Sequence, residues 1–127
     1  MPVTYQIDSA AQIIHTRCTG AVVLEEVREH FATLSRDPRC PDRLDVLLDL
    51  SEMTTVPATA ELRTVTGDIA RIRPQVRFGF CAIIATTDAI FGMARMFEVF
   101  TEQYFAATRV FRIEAEALAW FGSRIRD

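Results

Sequence analysis

The residues that could act on another molecule are few, and they lie far apart along the chain. His15 and His30 are its 2 histidines. Neither stands in a metal-ligand spacing such as HExxH, so no metal is expected. His30 follows Glu26 and Glu29 and lies off the apolar stripe around it, so it reads as a surface residue. His15 shares a strand face with Ile13 and Arg17 and reads as a partly exposed strand histidine. A nucleophile needs a base within hydrogen-bond reach and a third group to orient it. No such set is legible, and no catalytic residue is assigned. Asp49 and Asp88 both fall near C-terminal strand ends, where open α/β sheets place ligands. Acid–base work needs both carboxylates to face one cleft. Asp88 is more economically a helix cap, and Asp49 a partner for its adjoining loop.

Other chemistries find less support. The 5 glycines are scattered and match neither GxGxxG nor GxxxxGK, so no nucleotide cradle and no cofactor is expected. Cys18, Cys40 and Cys81 form no CxxC pair, which leaves zinc and redox readings without a basis. Cys18 and Cys81 sit in apolar, strand-like runs, where a thiol behaves as a small hydrophobe. Cys40 lies between Pro38 and Pro41 and is the thiol expected at the surface.

The elements that must position these groups can be read from composition and periodicity. The chain has 127 residues, 50% of them hydrophobic and 24% charged. That is the balance of an ordinary globular protein, and the length fits a single domain over residues 1–127. A net charge of -3 argues against nucleic-acid binding, which needs a clustered positive field. Arg71, Arg73 and Arg77 are interrupted by Ile72, Pro74 and Val76 and read as a solvated helix end. The start of the chain does not read as a signal peptide. No apolar run approaches the ~20 residues that cross a bilayer. A cytoplasmic location with no membrane span is expected.

Residues 3–8 and 12–19 read as strands joined by a tight link at Ser9-Ala10, hence an antiparallel hairpin. Gly20 breaks the second strand. Residues 23–36 read as a helix with Leu24, Val27, Phe31 and Leu34 on one face. Residues 45–50 are a strand whose Val46, Leu47 and Leu48 are continuously apolar, the mark of cover on both faces. Ser51 to Pro57 reads as a loop, and 58–73 as a helix with Leu62, Val65, Ile69 and Ile72 inward, closed by Pro74. Residues 78–85 form another buried strand, and Thr87 or Asp88 can cap a helix over 89–106. A short strand over 109–113 and a helix over 114–125, with Ala117, Leu118, Phe121 and Ile125 inward, complete the chain. Trp120, one position off that stripe, packs over the sheet edge. The fold class is α/β: a five-stranded mixed sheet, its first strand antiparallel and four parallel, with helices on both faces. The third and fourth strands should be central.

The third helix carries the most information. Ile90, Met93, Ala94, Met96, Phe97, Phe100, Tyr104 and Phe105 cover about half its circumference, and Phe91 and Val99 lie outside even that arc. A helix that only covers a sheet needs an apolar stripe of about 100°. The surplus points to an apolar pocket or a subunit partner, and methionines suit a surface that reshapes around varied contacts.

The chain resembles a known family over about residues 5–121. Three stretches carry the likeness: Val46-Leu47-Leu48-Asp49-Leu50-Ser51; Phe91-Gly92-Met93-Ala94-Arg95-Met96-Phe97; and Val110-Phe111-Arg112 followed by Glu116-Ala117-Leu118-Ala119-Trp120. They are similar to the SpoIIAA-like group, whose relatives include the STAS domains of sulfate transporters and the anti-sigma factor antagonists. The resemblance implies a small α/β sandwich that supports protein docking, phospho-switching or apolar-ligand binding. The antagonists carry a phosphorylatable serine in an Asp-Ser-x-Gly segment after the third strand. Here that region reads Ser51-Glu52-Met53-Thr54-Thr55-Val56-Pro57-Ala58-Thr59, without the motif.

Three readings follow. The first is a non-enzymatic binding or interaction module, a homodimer taking a small apolar ligand or a protein partner. Phe91, Met93, Met96, Phe97 and Phe100 would line its surface, and Ser51, Thr54 and Thr55 would form a polar rim. The second is a switch protein phosphorylated on Ser51, Thr54 or Thr55. The third is a small enzyme using Asp49 and Asp88.

Overall fold

Alternation decides the first hairpin. In β1 (Val3–Asp8), Val3, Tyr5 and Ile7 turn inward while Thr4, Gln6 and Asp8 stay exposed. Its partner β2 (Ile13–Gly20) pairs antiparallel, with Tyr5 opposite Thr16. The link between them runs on through Gln12, whose φ is 57°, so it is longer than two residues. The structure is a computed structural model that describes residues 2–72 and 76–123.

The remaining elements are α1 (Leu24–Ser35), β3 (Arg43–Met53), α2 (Thr59–Ile72), β4 (Arg77–Ile84), α3 (Asp88–Phe100), β5 (Ala107–Phe111) and α4 (Glu114–Ser123). The sheet order is β1-β2-β3-β4-β5, and every pair after the first is parallel. The expected five-stranded mixed sheet is present, with β3 at its centre.

The sheet is covered on both faces, as the apolar runs of β3 and β4 require. On one face Cys18, Leu50, Cys81 and Ile83 pack against Leu62 and Ile69 of α2 and Met93, Ala94 and Phe97 of α3. At the lower end of that face Ile14, Leu44 and Val76 gather around Leu34 of α1. On the other face Leu47, Ala82 and Ile84 pack under Ala117 and Phe121 of α4. Three helices therefore lie on one side and one on the other.

Several boundaries differ from the sequence reading, each for a local reason. β3 runs on to Met53 because β2 still pairs with it there, Thr19 opposite Glu52 and Gly20 opposite Met53. Ser51 is thus a strand residue, and the loop begins at Thr54. Gly20 ends β2 at a φ of 66°, in the left-handed region that glycine adopts freely.

α3 stops at Phe100, not at residue 106. The N–H and hydroxyl of Thr101 both turn back to the Phe97 carbonyl, at 3.0 and 2.8 Å. Tyr104 and Phe105 follow in a turn, yet Phe105 still enters the core, its ring 5.1 Å from that of Phe78. β5 accordingly starts and ends two residues early. Leu118 is 48% exposed, not inward, because α4 buries only Ala117 and Phe121, one turn apart. Trp120 packs over Phe80 and Phe111 at 5.6 and 5.8 Å. The expected helix ends at Arg73-Pro74, and the inward Ile125, lie outside the described residues. Among the described residues no helix is long and apolar enough to cross a membrane.

Candidate functional site

The helices α1, α2 and α3 do not close completely on the sheet. Between them and the sheet lies a cavity of 380 Å³. That falls within the usual size of small-molecule pockets.

Strand alternation builds the floor. Thr16 and Cys18 of β2, Val46, Leu48 and Leu50 of β3, and Cys81 and Ile83 of β4 all face the three-helix side. The roof comes from the helix stripes: Leu24, Val27 and Phe31 on α1, Leu62, Val65 and Ile69 on α2, and Met93, Ala94 and Phe97 on α3. One end is formed by the loops that follow β2 and β3. Val23 and Val56 line the cavity there and are 51% and 50% exposed, so this end meets solvent.

Side chains lock those loops together. The Thr55 hydroxyl accepts from the Val22 N–H at 3.0 Å and donates to the Val22 carbonyl at 3.0 Å. The Thr54 N–H adds a 2.9 Å bond to the Gly20 carbonyl. Glu61, also on the lining, accepts the Ala58 N–H at 2.9 Å and so ties down the start of α2.

Polar lining is sparse: Thr16 and His30 stand on β2 and α1, and Thr55 and Glu61 stand on the loop after β3 and the start of α2. His30 lines the cavity, which corrects the surface placement expected for it. It lies three residues after Val27 and four before Leu34, on the inward side of α1. Its ring meets Tyr5 edge-on at 5.3 Å and Phe31 at 5.3 Å. Burial pulls the imidazole down to about 4, so the ring is neutral at pH 7. Burial, with the negative Asp49 and Glu26 adding to it, pushes the Cys18 thiol up to about 11. Burial also raises Cys81. Neither thiol is a nucleophile at neutral pH. Cys40, expected at the surface, is half-buried beside the Ile14 cluster.

The residues singled out from the sequence separate into three groups. Met93 and Phe97 are buried on the cavity wall, and Thr55 lies at its open end. Phe91, Met96 and Phe100 do not line it. Phe91 lies under the guanidinium of Arg112, 4.3 Å from the ring centre, and Phe100 lies under Arg63 at 4.8 Å. Met96 is 39% exposed, its sulfur accepting the Thr59 hydroxyl at 3.6 Å. Ser51 donates to Asp49 Oδ1 at 2.6 Å, and Thr54 is exposed.

Asp49 and Asp88 are held apart from the cavity. Asp49 accepts the Ser51 N–H at 2.9 Å and pairs with Arg17 at 3.5 Å. Asp88 pairs with Arg112 at 2.8 Å, while Thr87 caps α3 through the Ile90 N–H. Neither carboxylate lines the cavity. Among the described residues no cluster of three His, Cys, Asp or Glu side chains could hold a metal ion.

The sheet order, the three-on-one cover and a cavity with few polar groups define one class of small α/β protein. The SpoIIAA-like family model matches residues 13–122, and the chain belongs to that family. Its fold supports a regulatory or binding module. A solved structure, an uncharacterized protein of the DUF3478 family with a SpoIIAA-like fold from Shewanella loihica PV-4, is similar. It is 14% identical, with a TM-score of 0.59, over 94% of this chain and 91% of that one. No curated protein matches.

Proposed function

We propose that this chain is a non-enzymatic binding module that holds a small apolar ligand in the cavity between the sheet and its three helices. The observation that carries the reading is the lining, which is hydrocarbon almost throughout and includes Met93 and Phe97 of α3. Apolar cavities stay dry and take apolar guests. A guest restores the dispersion contacts that the wall atoms otherwise lack on one side.

The same reading takes the chain as one domain that works in the cytoplasm as a homodimer. Met96 and Val99, exposed neighbours on the outer side of α3, are the residues through which two copies would meet. A switch driven by phosphorylation has less support. Of its three hydroxyls, Ser51 is held by Asp49 and Thr55 by Val22, which leaves Thr54 as the accessible one.

Naphthylamine, an uncharged fluorophore small enough for the cavity, tests the reading. Its emission should shift to the blue and brighten with the wild-type protein. Ala94→Phe, which fills the cavity from α3, should abolish the change while the circular dichroism spectrum stays native. Val27→Phe should do the same from α1. An unchanged emission with the wild-type protein would remove the proposal.

A further inference from the structure

The cavity has two unlike walls, and their difference bears on what it holds. Apart from Glu61 at the start of α2, the side formed by α2, α3 and the centre of the sheet is apolar, with Leu48, Leu62, Ile69, Ile83 and Phe97 on its lining. The side formed by β2 and α1 carries Thr16 and His30. The two stand at one level. Thr16 is the cross-strand partner of Tyr5, and the His30 ring packs edge-on against the Tyr5 ring at 5.3 Å. Tyr5 itself is satisfied elsewhere, donating to Asp37 Oδ2 at 2.7 Å.

Thr16 and His30 are not satisfied in that way. Thr16 is only 5% exposed, and its hydroxyl makes no hydrogen bond to a described residue. A hydroxyl that looks onto an apolar space without a side-chain partner is less favourable there than valine, which would fill the same place. Nor do the ring nitrogens of His30 bond a described residue. Burial alone accounts for its lowered basicity. A hydroxyl and a neutral imidazole can each donate and accept one hydrogen bond. They therefore suit an uncharged oxygen of either kind. They do not suit a carboxylate, because the one charged residue among the described residues of the lining is Glu61, itself an acid.

We infer, resting on the cavity reading above, that the ligand is an uncharged molecule, hydrocarbon over most of its surface, with one hydrogen-bonding oxygen seated against Thr16 and His30. Alcohols, phenols, ketones and esters belong to this class. Fatty acids in their ionised form do not.

Isothermal titration of the full-length protein with butylbenzene, para-butylphenol and para-butylbenzoate separates the possibilities. All three share the apolar body and differ at one end. The phenol should bind about tenfold more tightly than butylbenzene, the worth of one good neutral hydrogen bond. The benzoate should bind more weakly than either. Thr16→Val should bring the phenol to the level of butylbenzene and leave butylbenzene unchanged, and Thr16→Ser should retain the preference. The imidazole nitrogen resonances of His30 should move with the phenol and stay in place with butylbenzene, a readout that needs no variant to fold. Equal binding of phenol and butylbenzene, or a preference that survives Thr16→Val, would overturn the inference while leaving the cavity reading intact. Binding of none of the three would overturn both.

Discussion

His30 is where the sequence and the structure part most sharply. Its acidic neighbours Glu26 and Glu29 point to the surface, yet the ring is pressed between Tyr5 and Phe31 on the cavity wall. The spacing to Val27 and Leu34 carried the signal, but α1 packs against both the sheet and α2, and a stripe read for one contact was too narrow. The consequence is a pH effect with a definite sign. The unfolded imidazole takes its proton near pH 6.5 and the folded one near 4. Between these values the unfolded state binds more protons, so stability falls as the pH is lowered and is untouched above about 6.5. At pH 5 the loss should be about 2 kcal/mol relative to pH 7. Urea unfolding at both pH values should show that difference in the wild-type protein and lack it in His30→Leu. A His30 ring that titrates near 6.5 in the folded protein would refute the placement. Gly79 offers a second test at this scale. A β-carbon there would collide with the carboxylate of Asp45 and with Arg43. Asp45 is buried and accepts the Phe80 N–H at 2.8 Å, so it cannot swing away cheaply. Gly79→Ala should cost about 3 kcal/mol or more in chemical unfolding, against under about 1 for a glycine in open space such as Gly122.

Among the elements, α3 shows how far a pattern can be trusted. Its start was legible within a residue, and its buried Ile90, Met93, Ala94 and Phe97 fall in the apolar arc, but that arc also took in the exposed Met96, and the cap is Thr87, not the Asp88 that the sequence favoured. Its end was not legible. Thr101 terminates the helix by turning its own donors onto Phe97, and the apolar residues beyond it kept the periodicity going in the sequence. The breadth of the apolar arc also placed too many aromatics on one presumed binding face. Phe91 and Phe100 are instead covered by arginines from β5's end and α2, long-range contacts that no local pattern encodes. The wall formed by β2 and α1 escaped notice because Thr16 and His30 are ordinary residues for a strand and a helix. Only the hairpin register brings them together beside Tyr5. Phe91→Ala tests the packing of α3. A ring half-buried beneath one guanidinium should cost about 1–2 kcal/mol in thermal or urea unfolding, between the ~0.5 of a surface change and the 3–5 of a core phenylalanine. A loss in the core range would mean that Arg112 does not cover it alone.

At the scale of the molecule, the fold class, the sheet's mixed sense and the central place of β3 follow from alternation, continuous apolar runs and the right-handed crossover rule. The cavity does not. It depends on how closely α1, α2 and α3 approach the sheet, and that distance is set by many side-chain volumes at once. An occupied cavity should stabilise the whole chain, since a ligand that binds only the folded state at a hundred times its Kd adds about 2.7 kcal/mol. Native mass spectrometry of gently purified protein tests the central claim most directly. The account predicts a species heavier than the sequence mass by one small uncharged molecule, released on collisional activation and absent from Ala94→Phe. Protein that carries no added mass, and acquires none when incubated with para-butylphenol, would contradict it.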